Sequence, residues 1–188
     1  MDEFPLFKNM MLHASGIDAC MEKKAITPAL VLIYSAIDTT GWLDSTEAFT
    51  TRNDFMTWVD KYLLKSKPLR CTALDLYAAR CGLLHTFSPD SQLSSAGKAR
   101  VICYAWGTAK TEDLQRSIDL KNKVNELVAV HIDELYQAWK SGLVLFGEEL
   151  DKDPGRKTRV LTKAGKFFAE MGIDTMSEIL SVISGKKP

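Results

Sequence analysis

The residues of this chain best suited to chemistry are an arginine and a histidine, Arg80 and His85, within Ala79-Arg80-Cys81-Gly82-Leu83-Leu84-His85-Thr86. Histidine titrates near neutral pH and can move a proton to or from a sugar hydroxyl. Arginine keeps its charge and can clamp a phosphate through two parallel hydrogen bonds. Together they suit RNA cleavage, a reaction side chains can carry without a metal. Their spacing poses a geometric problem. Five residues on a regular helix turn roughly 140° about its axis. The two groups meet only if the long Arg80 stem reaches around, if the helix distorts at Gly82, or if a second chain completes the site. A plainer role stays open for His85, because a cation at the C-terminal end of a helix is favourable there.

Asp38 lies in a largely apolar earlier segment. A carboxylate on a buried helix wants a cationic partner, and Arg80 is the obvious one. Tyr34, Ser35 and Asp38 share one stripe of that helix by spacing, which makes Tyr34 and Ser35 supporting candidates. The alternative for them is local: Ser35 bonding to its own backbone and Tyr34 packing in the core. Lys98, Arg100, Tyr104 and Trp106 interleave basic and aromatic residues. Such a run forms either a surface on which RNA bases stack or a half-buried strand with solvated ends.

Other chemistries lack their signatures. The chain has no phosphate-binding glycine loop, no dinucleotide fingerprint, no nucleophile elbow and no HExxH motif. His13, His85 and His131 are far apart, so no zinc site and no cofactor is expected.

The elements that would position these groups are mostly helical. Phe7, Met10, Met11, Ala14, Ile17 and Met21 recur at helical spacing over 6–23. Thr27-Pro28 looks like a helix start, with threonine as cap and proline at the first position. The helix that follows is apolar nearly all round and is expected to end near Gly41. A shorter helix is expected from about Asn53 to the Lys65-Ser66-Lys67-Pro68 stop, and the motif helix over about 70–86. Val101 to Trp106, bounded by Gly97 and Gly107, is the one convincing strand. A long helical region is expected over about 112–150, closed by Asp153-Pro154-Gly155. Beyond it come a possible strand at Arg159-Val160-Leu161, a short helix at 163–171, and an element from Ser177 to Ile183. The expected fold is therefore mainly α: a bundle over 1–150, with a small β element near 101–106. Residues 151–188 are expected to form a basic appendage packed on the same domain.

Composition narrows the function. The 188 residues suffice for one domain with its own core. A formal net charge of zero argues against binding long nucleic acid over the whole surface, so any RNA contact must be local. Acids dominate 112–153, whereas 156–166 carry Arg156, Lys157, Arg159, Lys163 and Lys166 with no acid between them. These are expected to be two solvated faces of opposite sign. The N-terminus is acidic, without the features of a signal peptide. The apolar stretch Ala29–Ile37 is too short to span a membrane. The cysteines at 20, 71, 81 and 103 form no CxxC pair, which points to a reducing, cytoplasmic setting.

The motif resembles that of the HEPN superfamily (higher eukaryotes and prokaryotes nucleotide-binding), in which an arginine is followed after four to six residues by a histidine near the end of a bundle helix. Arg80-Cys81-Gly82-Leu83-Leu84-His85 has that form, with Tyr77-Ala78-Ala79 before it and Thr86 after it. Asp38 resembles the acidic or polar position that many members keep in an earlier helix. The resemblance implies a metal-independent endoribonuclease with Arg80 and His85 catalytic. It also implies a homodimer with two motifs facing each other, and a role in toxin–antitoxin or anti-phage systems, with an antitoxin or neighbouring-gene product as partner. Other members are non-catalytic nucleotide- or protein-binding scaffolds. Two departures stand out: Cys81 where many active members carry a polar residue, and Phe87 where toxins paired with a nucleotidyltransferase tend to carry tyrosine.

Overall fold

The computed structural model describes residues 3–167. In chain order these form α1 (Phe4–Glu22), α2 (Ile26–Asp44), α3 (Arg52–Trp58), a π-helical turn (Val59–Leu63), α4 (Leu64–Ser66), α5 (Ala73–Thr86), α6 (Gln92–Ser95), β1 (Val101–Ala105), α7 (Thr111–Leu120), β2 (Leu127–His131), α8 (Ile132–Asp151) and α9 (Pro154–Ala164). The fold is mainly helical, with a small two-stranded sheet, as its patterning predicts.

The centre is α2. Leu30, Ile33, Tyr34, Ile37 and Leu43 are buried along it, and it touches α1, α3, α5, α8 and α9. Its nineteen residues make it long and apolar enough to cross a membrane by length and composition, unlike the shorter stretch visible in the sequence. Burial among five helices is what a bundle's core helix shows. Its start lies two residues earlier than the Thr27-Pro28 signal places it: Ala25, not Thr27, precedes the first turn, and no side chain caps it. Pro28 is tolerated because first-turn N–H groups have no helical partner anyway. Nor does the helix stop at Gly41, which is buried against the backbone of Asp54 and Phe55 while α2 continues to Asp44.

The long helix expected over 112–150 is two helices with a strand between them. α7 ends at Leu120, Asn122 takes a left-handed conformation (φ 52°), and Leu127–His131 pairs in parallel with β1, from Val101↔Leu127 to Ala105↔His131. A short apolar run such as Leu127-Val128-Ala129-Val130 fits strand or helix by periodicity alone. Its β-branched residues and the asparagine, which tolerates the left-handed region, decide for the strand. His131, expected on a helical stripe, ends β2 and caps α8 by accepting from the Asp133 N–H.

The C-terminal segment also departs from expectation. α8 ends at Asp151, just ahead of Asp153-Pro154 as expected, but the same residues also open α9: the Asp153 carboxylate accepts the Arg156 N–H at 2.9 Å, and proline occupies the first turn. Arg159-Val160-Leu161 is therefore helical, not a strand. The helix expected from 163 is instead the end of α9 at Ala164, and the part of it beyond 167, like Ser177–Ile183, lies outside the described residues.

The basic run of α9 is not a wholly solvated face. Arg156 donates to Asp44 (Nε–Oδ1 2.7 Å) and to Tyr62, and approaches Glu149 at 3.3 Å. Lys157 pairs with Glu3 and Asp151. Lys163 is buried, and its ammonium donates to the carbonyls of Trp42, Ser45 and Glu47 and to the Ser45 hydroxyl at 2.7–2.9 Å. These contacts tie α9 to α1, α2, α8 and the π-helical turn. That turn has its own packing reason: α8 approaches it so closely at Gly142 that a Cβ there would lie 3.1 Å from the Leu63 nitrogen.

Lys61, then the Tyr62 hydroxyl and Arg156, hold the Glu149 carboxyl down at about 2, from an ordinary 4.5. A carboxylate whose pKa is depressed on folding contributes stability that is complete above its unfolded pKa and lost as pH falls through the folded one. The fold should therefore lose stability between about pH 4.5 and pH 2, and Glu149→Gln should flatten that limb in melts taken across the range. An unchanged acid limb in the variant would remove Glu149 from the account. Gly142→Ala should cost about 1–3 kcal/mol by overpacking, measured by chemical denaturation.

Candidate active site on α5

α5 is fixed at both ends. At its start, Thr72 accepts the Asp75 N–H (3.2 Å) and Asp75 accepts the Thr72 N–H (3.0 Å), a reciprocal cap. Asp75 is buried and also receives the Arg100 N–H (2.7 Å) and guanidinium (Nη2 2.7 Å). Burial alone would raise the Asp75 pKa, but the N–H groups of Thr72 and Arg100 and the Arg100 guanidinium outweigh it and lower it. At the other end Phe87 takes a left-handed conformation (φ 52°, ψ 27°). The chain then folds back over Gly82, where a Cβ would sit 2.5 Å from the Asp90 carbonyl oxygen and 2.6 Å from that of Ser88. Glycine here serves close approach of a loop, not a helix distortion; α5 is unbroken through Thr86.

Arg80 solves the angular problem with its own length. Its Nη2 donates to Asp38 Oδ2 at 2.5 Å, across to α2, while Nη1 lies 3.5 Å from His85 Nε2. Side chains of a helix tilt toward its N-terminus, which carries the His85 ring back along α5 toward the guanidinium. For Nη1 to donate in that contact, Nε2 must hold its lone pair free, with the proton on Nδ1. The Arg80 and Asp38 side chains are each 20% exposed, and His85 is exposed. Burial works against the Arg80 charge, but Asp38 outweighs it and raises the pKa. The pair is single-pronged. Asp38 Oδ1 and Arg80 Nε are buried without a hydrogen-bond partner, an arrangement that costs free energy.

The remaining sequence candidates separate. Tyr34 is buried, and its hydroxyl bonds that of Tyr104, away from Arg80. Ser35 is half-buried on α2. Arg100 is committed to Asp75 and to the Arg70 carbonyl. Of the basic–aromatic run, Lys98 is exposed and Trp106 is 45% exposed, so the half-buried strand describes Arg100 and Tyr104 better than a stacking surface does. Tyr77, which the sequence offered only as part of the motif's flank, carries contacts of its own. The Arg52 guanidinium lies 5.6 Å from its ring centroid and Phe55 meets it edge-on. Burial and then the Cys81 thiol raise the Tyr77 pKa, while Arg80 and Arg52 pull it down. Sequence reasoning missed Asp75, although Thr72-x-x-Asp75 ahead of an apolar run is a legible helix start.

Among the described residues, no group of three or more His, Cys, Asp or Glu is placed to hold a metal ion. Comparison with protein-family models, with curated proteins and with solved structures returns no match.

If Asp38 and Arg80 are one unit, Asp38→Asn and Arg80→Gln should each lower stability, because each leaves a half-buried charge unpaired. Combined, they should lose less than the sum, with a coupling of about 1–3 kcal/mol. Strictly additive losses in urea denaturation would show that the two do not support each other.

Proposed function

We propose that the chain is an endoribonuclease of the HEPN type that needs no metal, working in the cytoplasm as a homodimer in a toxin–antitoxin or anti-phage setting. The observation that carries the reading is the Arg80 guanidinium, held by Asp38 on one side and facing His85 Nε2 on the other. In this reading the 2′-hydroxyl of RNA attacks the adjacent phosphorus. His85 Nε2 takes the hydroxyl proton, the 2′-O–P bond forms, and the P–O5′ bond breaks. The 5′-oxygen leaves and takes a proton from water, to which the His85 imidazolium returns its own, giving a 2′,3′-cyclic phosphate and a 5′-hydroxyl. Arg80 stabilises the extra charge on the phosphorane oxygens. Four free cysteines support the cytoplasmic placement.

One observation favours a second reading, a non-catalytic nucleotide- or protein-binding module. The Arg80 charge is already balanced by Asp38 and its Nη1 already faces His85, so a phosphate would share the guanidinium with that carboxylate.

Arg80→Ala and His85→Ala should each reduce RNA cleavage by about 100-fold or more. The double variant should be no worse than either, because both serve one transition state. Cleavage should persist in chelator, and Asp38→Asn should cost less because its carboxylate orients Arg80. Cleavage assays and melts on the same proteins decide. Wild-type protein that leaves RNA intact, with His85→Ala only lowering the melting temperature, would replace the nuclease reading with the binding module.

A further inference from the structure

We propose that the pocket beside Arg80, with Phe87 at its rim, is a subsite for one unpaired nucleobase of the strand whose backbone lies at Arg80 and His85; this rests on the ribonuclease reading above. Phe87 follows His85 by two residues and ends α5 in the left-handed region, φ 52°. That region disfavours a bulky side chain and is ordinarily given to glycine or asparagine at a helix end. Burial does not compensate for the strain, because the ring is 71% exposed. An exposed aromatic group held in a strained backbone beside a candidate site is the pattern expected of a residue kept for contact with a ligand.

The pocket it borders has a volume of about 130 Å³. Leu30, Leu83 and Ile102 give it apolar walls, and Thr27 and Ser88 add hydroxyls. No charged residue lines it. That lining suits a flat, uncharged heteroaromatic ring and not a phosphate. The charge lies next door: Ala79 lines the pocket, and Arg80 follows it on the adjacent face of α5. A nucleotide strand divides in the same way, with a charged backbone and neutral, stackable bases. Stacking on an aromatic ring is sequence-tolerant and acts on single strands, so the ligand is unpaired RNA.

Phe87→Gly tests this because glycine relieves the backbone strain while removing the ring. Binding is read by fluorescence anisotropy with a labelled single-stranded oligoribonucleotide carrying 2′-O-methyl groups, which block attack by the 2′-oxygen. A matched series carries an abasic residue at each position in turn. Wild-type protein should lose about 5- to 100-fold in affinity at one abasic position. Phe87→Gly should lose that dependence while its melting temperature stays level or rises. No abasic position mattering, or a clear drop in the melting temperature of Phe87→Gly, overturns the subsite. Cleavage of unmodified RNA by the wild-type protein is scored separately. Cutting without base dependence overturns the subsite and keeps the nuclease. Base-dependent binding without cutting supports the subsite and overturns the nuclease.

Discussion

The ion pair between Asp38 and Arg80 is the constraint on which the site depends. It places two opposite charges between the central helix and the motif helix, at 20% exposure each. Taking such groups out of water is costly, and only their mutual attraction repays it. The pairing also fixes direction. With Nη2 anchored on α2, the planar guanidinium has one remaining terminal nitrogen, and that nitrogen meets His85. A flexible arginine becomes an oriented one, which is what electrostatic stabilisation of a developing charge requires.

The rest of the molecule holds this arrangement in place. Asp75 fastens the start of α5 to the chain entering β1 through Arg100, and the loop folded onto Gly82 fixes the other end. α2 is enclosed by helices, and α9 is latched to its end through Arg156–Asp44 and the Lys163 carbonyl cage. Arg156, Lys157 and Lys163, which look in sequence like part of a free patch, are thus engaged within the fold, and Asp44 and Glu3 reach two of them from distant segments. Arg80, by contrast, is held beside the exposed side chain of His85.

Much of this was legible in the sequence, and the parts that were not share a cause. The helical bundle, the strand at β1 and the Asp38–Arg80 pairing followed from periodicity, β-branched content and the cost of a lone buried carboxylate. The second strand did not, because a four-residue apolar run carries no period and its parallel partner lies some 26 residues earlier, Val101 to Leu127. Asp153-Pro154 was legible as a boundary but not as which side of one, since the same residues end one helix and begin the next. The site's reach was open for a similar reason: backbone angles put Arg80 and His85 apart, and only side-chain length and the tilt of His85 close the gap. Tyr34 and Tyr104 looked available because their buried mutual contact spans seventy residues.

The central claim is that Arg80 and His85 act on one phosphate, and the chemistry of the cut ends tests it most directly. RNA digested by the wild-type protein and analysed by mass spectrometry should carry 2′,3′-cyclic phosphate and 5′-hydroxyl termini, and folded Arg80→Ala protein should produce neither. Termini with a 3′-hydroxyl and a 5′-phosphate, or the same products at the same rate from Arg80→Ala, would contradict the account.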